Sequence, residues 1–290
     1  SFLSEPESFP CLYLDAEQWE QLPARLEDPF FQAIHARNLA ALSAMDESEF
    51  ADEIRAAAAE DENGIQRRLL KGAFQRSLVA WYLTKDQAHL DRARAALIAG
   101  CRSNQWRVRP GQIAGLHAAS LETGELLHLV ASGFDALYPY LSDAERDECI
   151  DALIRKGLPA YLDGIRLKDW WLICDFNWNS ALHGNGGIAG LVVRHRDKAL
   201  GDRALEAAVE GLPHMIEAFY PGGGYIEGLM YLCTAVGHLT DFVVPYHKFT
   251  GDDLGLLSNQ AFADTFTFLV EMHGGDGVAY NFSDIQEGRG

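Results

Sequence analysis

Two stretches of the chain gather side chains that could move protons. Residues 175–190 read DFNWNSALHGNGGIAG. If the segment is helical, Asn179, His183 and Gly187 fall at i, i+4 and i+8 and stack on one face, with Asn177 suited to the N-cap. An amide and an imidazole so placed, on a face without bulky apolar groups, could floor a site that handles a polar ligand. Gly184, Gly186, Gly187 and Gly190 each cost about 1 kcal/mol of helix propensity relative to Ala, a cost that makes sense where a second backbone or a ligand comes close. The plainer alternative is a tightly packed helix with His183 hydrogen-bonded in the core.

The second stretch, YPGGGYIEGLMYLCTAVGH, covers residues 220–238. Pro221 and three glycines predict a sharp turn. Glu227 and Tyr231 then fall at i and i+4 of a helix, with Tyr225 at its mouth, so that a carboxylate can orient or polarise a neighbouring phenol. The plainer alternative is a surface turn followed by a core tyrosine. Other candidates carry less. The run from Gly184 to Ala189 fits G-x-G-x-x-A, but no clean strand precedes it and no acidic residue follows in a βαβ context, so a dinucleotide is not expected. His214, His238 and His247 lack H-E-x-x-H or comparable spacing, and neither a metal nor a cofactor is expected. Cys174 and Cys233 lie near the two motifs without a base partner. His117 begins a helix and could face the cleft, though the plainer reading is a capping or core histidine, and Trp170 and Trp171 read as core.

The elements that must position these residues are helical. Leu126, Leu127, Val130, Ala131 and Phe134 form one apolar stripe, and Ile150, Leu153, Ile154, Leu158, Tyr161 and Leu162 form another. Ser142 with Glu145 predicts a capping box before the second. The same periodicity predicts helices near 15–24, 28–42, 47–60, 64–84, 87–101, 197–219, 225–248 and 254–271. Short breaks such as TKDQ, YLSD, YPGGG and TGDD separate them. The pattern is that of an all-α protein of stacked antiparallel helical hairpins, which could close into a toroid, stay open as a solenoid or form an irregular bundle. Only HGGDGVAYNFSD, near the end, reads as glycine-bounded extended chain.

Composition narrows the partners. The 290 residues are 48% hydrophobic and 23% charged, as in an ordinary globular protein. With 42 Asp and Glu against 24 Lys and Arg, the formal charge of -18 opposes broad attachment to nucleic acid or anionic membrane. No apolar run is long enough for a spanning helix, and SFLSEPESFP lacks the basic and apolar regions of a leader peptide. Five cysteines at wide spacing include no C-x-x-C pair.

Together, N-W-N-x-x-x-H-G and, about 40 residues later, P-G-G-G-Y-x-E-G-x-x-Y resemble the signature of heparinase II/III-like polysaccharide lyases and the related alginate lyases. ASLETGELLHLVASGFDALYPYLSDAERDECIDALIRKGL resembles that family's helical pair preceding the site, and YNFSD the start of its β-sandwich. The resemblance runs from about residue 10 to the end. It implies an incomplete (α/α) toroid over residues 1–271, with residues 272–290 entering a β-sandwich-like region, and cleavage of a uronate-containing, acidic polysaccharide by β-elimination. It implies that Asn179 and His183 neutralise the uronate carboxylate, that Tyr231 acts as general base and acid, and that Glu227, Trp178 and Tyr225 position or pack against sugar rings. Two features depart from the family. Many members add a histidine from the β-sandwich, whereas the last histidine here is His273; and Leu182 stands where the motif often has cysteine.

Two rivals stay open. A glycoside hydrolase on the same architecture would need paired acids, for which Asp175, Glu227 and Asp241 are available. A carbohydrate-binding protein without turnover would not need the Asn, His and Tyr set. Arg107, Arg109 and Arg166 are candidate readers of substrate charge.

Overall fold

The computed structural model describes residues 9–58, 67–104, 106–108, 111–274, 278–280 and 283. Its described residues are predominantly helical and include no strand, so the fold is all-α. The order is α1 (Ala16–Gln21), α2 (Pro29–Ser43), α3 (Glu47–Ala58), α4 (Arg67–Thr84), α5 (Gln87–Arg102), α6 (Leu121–Leu137), α7 (Asp143–Ala152), α8 (Leu158–Arg166), α9 (Asn177–Val193), α10 (Lys198–Gly211), α11 (Pro213–Ile216), α12 (Leu229–Thr250) and α13 (Gln260–Glu271). A π-turn, Leu153–Gly157, joins α7 to α8, and a short 3-10 turn, Trp170–Ile173, precedes α9.

Four helices run side by side in one direction. A Cβ on Gly124 of α6 would stand 2.7 Å from the Ala181 carbonyl of α9, and one on Gly184 of α9 would stand 2.6 Å from the His238 carbonyl of α12. Further along the same two helices, Gly187 lies against the Phe242 ring. Lys71 of α4 pairs with Glu125 of α6, and Phe74 meets Gly133 about two turns further along α6. Glycine is therefore required on α6 and α9 by close backbone approach. Return helices run the other way: α5 opposes α6 through Gly100 with Leu129 and Gly133 with Leu97, and α10 opposes α9 through Gly201 with Gly190 and Gly211 with His183. The hairpin alternation read from the periodicity is present, and the N-termini of α6, α9 and α12 share one end.

The core follows from this layering. On α9 every residue but Trp178 is buried, and α6 is buried from Leu126 through Leu137. At α7, the Ser142 hydroxyl accepts from the Glu145 N–H while the Glu145 carboxylate accepts from the Ser142 N–H, completing the expected capping box.

Several boundaries differ from the sequence expectation. The helix expected over 197–219 ends at Gly211 because Pro213, lacking an N–H, starts the separate short α11. The helix expected from 225 begins only at Leu229, since Gly228 sits at φ 85°, outside the helical region. The last one begins at Gln260, capped by the Asn259 side chain, and not at 254. Parts of the expected 47–60 and 64–84 helices lie outside the described residues. Near the end, a single antiparallel bridge joins His273 and Ala279, and most of the expected β entry lies outside the described residues.

Candidate functional site at the shared helix mouth

The two motif stretches meet at the N-terminal end of α9 and α12. One carboxylate makes the joint: Glu227 Oε2 accepts from the Asn177 backbone N–H at 2.7 Å and from the Tyr225 hydroxyl at 2.6 Å, while Oε1 accepts from Asn177 Nδ2 at 2.7 Å. Asn177 is thus the first helical residue and not the N-cap, a place taken by Phe176, which has no capping side-chain bond. Glu227 satisfies an orphan N–H of α9 from another element and places a negative charge at a positive helix end. Because Glu227 precedes α12, it does not orient Tyr231 as a helical i, i+4 partner; its phenolic partner is Tyr225.

Asn179 and His183 are not at the mouth. Asn179 is fully buried, and its Nδ2 donates to the Leu172 carbonyl at 2.9 Å and the Gly211 carbonyl at 3.2 Å. His183 is 1% exposed. Its Nε2 lies 3.2 Å from the Leu172 carbonyl and must donate there, which leaves Nδ1 to accept from the Tyr161 hydroxyl at 2.8 Å. Burial pushes the imidazole down to about 4, so the ring is neutral near pH 7. Tyr161 and Trp171 flank it edge-on, and Gly211 leaves the room that a side chain would fill. The expected carboxylate-neutralising pair is therefore a pair of core fasteners. They pin the 3-10 turn and the end of α10 to α9; both nitrogens of His183 are engaged, and Asn179 Oδ1 is buried away from solvent.

Tyr225 is corrected in the same way. It is 2% exposed, its hydroxyl is spent on Glu227, and burial pushes its phenol well above the ordinary range. It packs against Phe219 instead of presenting a face to a sugar ring. Trp178 does remain partly exposed. It leans on Trp170 with ring centroids 4.7 Å apart, and Trp170 stacks on Phe176 at 5.4 Å, so three half-buried rings line the start of α9. Tyr231 is half-buried in the first turn of α12, and no hydrogen bond engages its phenol among the described residues. That helix starts without a side-chain cap, which leaves first-turn N–H donors beside Tyr231.

The other candidates fall away by geometry. Asp241 lies 3.2 Å from His128 Nε2, and Asp175 is exposed. Arg107 and Arg166 both pair with Asp163, at 2.6 Å and 3.0 Å, while Arg109 lies outside the described residues. Burial raises the Cys174 thiol to about 11, which keeps it protonated at neutral pH.

Two constellations were missed. Between α6 and α12, Glu125 Oε1 lies 3.7 Å from His238 Nε2, Lys71 sits 2.6 Å from Glu125 Oε2, and Asn185 Nδ2 reaches His238 Nδ1 at 3.3 Å. Burial pushes His238 down to about 4, reinforced by the Lys71 charge. For Glu125, burial works upward but the Lys71 and His238 charges outweigh it and hold the carboxyl below its ordinary range. The signal was the i, i+3 spacing of Glu125 with His128 and of His238 with Asp241 on otherwise apolar helices. Among the described residues no group of three His, Cys, Asp or Glu side chains is arranged to hold a metal ion.

The second constellation is at the mouth. Asp169, buried beside Trp170, accepts from the backbone N–H groups of His117 at 2.7 Å, Ala118 at 3.2 Å and Ala119 at 3.3 Å. The same Asp169 Oδ1 lies 2.7 Å from His117 Nδ1. Local sequence held no trace of it, since the two residues are 52 apart.

No family model matches this chain, and no curated protein matches it.

Proposed function

We propose that this chain is a heparinase II/III-like lyase, its helices forming an incomplete (α/α) toroid, that cleaves a uronate-containing polysaccharide by β-elimination at the shared mouth of α6, α9 and α12. The observation that carries the reading is the Glu227 joint. It ties the two motif stretches, 50 residues apart, through two hydrogen bonds from Asn177, with a third from Tyr225 of its own stretch, one turn before Tyr231.

Elimination needs the C5 proton removed, the bond from C4 to O4 broken and a proton delivered to O4. The C5 proton becomes acidic only when charge on the adjacent carboxylate is stabilised. With Asn179 and His183 in the core, that task falls to the uncapped first turn of α12, whose N–H groups and helix dipole favour an anion. Tyr231 stands in that turn with an uncommitted phenol to exchange protons with the sugar. Trp178, backed by Trp170, supplies an aromatic face for a ring. The paired-acid alternative is weaker, because both oxygens of Glu227 are engaged and Asp241 is paired with His128.

The test is a panel of uronate polysaccharides followed by ultraviolet absorbance, since elimination creates a C4–C5 double bond and hydrolysis does not. Tyr231→Phe is expected to lower turnover by about 10²–10⁴-fold while leaving substrate binding intact. Unchanged turnover in that variant removes Tyr231 from the mechanism, and reducing ends produced without absorbance transfer the reading to hydrolysis.

A further inference from the structure

We propose that His117, held by the buried carboxylate of Asp169, is a second catalytic residue at this mouth and acts as the proton acceptor. The proposal rests on the lyase reading for its substrate but on separate residues for its geometry. A carboxylate oxygen can only accept, so the ring nitrogen facing it at 2.7 Å carries the proton. In the neutral ring Nε2 is then a bare acceptor, and the side chain is 53% exposed while Asp169 is fully buried. A histidine whose far nitrogen is fixed by a buried carboxylate has one tautomer and one orientation, which is the arrangement a general base needs. The contrast with His183 is direct: there both nitrogens are spent inside the core.

Place supports the role. His117 lies just before α6, whose N-terminus shares an end with those of α9 and α12. Its loop is pressed onto the aromatic group at the start of α9, where a Cβ on Gly115 would stand 3.0 Å from Trp170 Cδ1. Three N-H bonds to Asp169 hold that loop against movement, so the imidazole is carried on a fixed support. In the reaction, His117 Nε2 takes the C5 proton, and the electrons of that bond form the C4–C5 double bond. The C4–O4 bond breaks, and O4 leaves with the proton of the Tyr231 phenol. Exchange with water returns the proton to Tyr231 and removes the extra one from His117.

The experiment uses the whole chain and the polymer that responds in the panel. His117→Ala is expected to lower kcat by about 10²–10⁴-fold with KM within a few-fold and the fold retained, and added imidazole is expected to restore part of the turnover. Full activity overturns the proposal, and so does lost activity that imidazole does not restore. Nitrogen chemical shifts of the His117 ring in the wild type give a readout independent of turnover: a proton on Nδ1 and none on Nε2 is expected, and the reverse overturns it. A wild type inactive on every uronate polymer overturns the lyase reading and this role together. An active wild type with a fully active His117→Ala variant overturns this role alone.

Discussion

At the scale of residues, two histidines of this chain exchange the roles that spacing suggested for them. His183 sits in the stronger motif yet is neutral and buried, while His117, for which the sequence favours a cap or core place over a cleft-facing one, is exposed and oriented by a buried acid. The buried ring has a measurable consequence. His183 and His238 are both held at about 4, below the ordinary 6.5, by burial. The unfolded chain therefore takes up protons before the folded one as pH falls, so the stability these rings confer is complete above about pH 6.5 and is lost between about 6.5 and 4. Each contributes at most roughly 3 kcal/mol. Asp135 opposes them in part, since burial raises it from 3.8 to about 6 and favours its protonated form in the fold. Urea midpoints are expected to fall from pH 7 toward pH 4.5, and the fall to be shallower in His183→Gln, whose side chain has no such proton to take. An equal slope in both proteins would show that His183 is not buried neutral. Residue types were legible in the sequence, and so was the polar character of the α9 start. Which way each side chain turns was not, because on a helix buried all round, every face is a packing face and periodicity no longer separates inside from outside.

At the scale of elements, the joint between α9 and α12 carries both the fold and the site. Glu227 replaces a local N-cap with a long-range one, and losing it strands the Asn177 N–H, the Asn177 amide and the Tyr225 hydroxyl on buried residues. Glu227→Ala is expected to cost about 2–4 kcal/mol of stability, combining a lost cap with lost charge-assisted bonds. It is also expected to lower turnover without removing any group that touches substrate. A melting temperature within a degree of the wild type would show that the joint does not hold the two helices. Most helices were legible from their apolar stripes and caps, as the capping box at Ser142 and the break at TKDQ show. The failures have local causes that compete with periodicity: Pro213 ends α10 early, and the positive φ of Gly228 delays α12 until after Glu227. That delay is why Glu227 meets Asn177 and Tyr225 and is not the helical neighbour of Tyr231.

At the scale of the whole molecule, the charge of the protein and the charge of its proposed substrate have the same sign. A formal charge of -18 repels a uronate polymer at a distance, and Arg107 and Arg166 do little to offset this because both are drawn onto Asp163. Recognition must then come from short-range groups, the uncapped turn of α12 and the rings around Trp178, which act only after the chain has arrived. Salt screens the long-range repulsion, with a Debye length of about 30 Å at 0.01 M and about 10 Å at 0.1 M, but hardly touches contacts made at van der Waals distance. Raising ionic strength across that range is therefore expected to increase kcat/KM a few-fold while leaving kcat nearly constant. This is the reverse of what a basic cleft would give. A kcat/KM that falls steeply with salt would place substrate binding at a cationic surface elsewhere on the protein, and one that does not respond would mean that the substrate carries no run of charges.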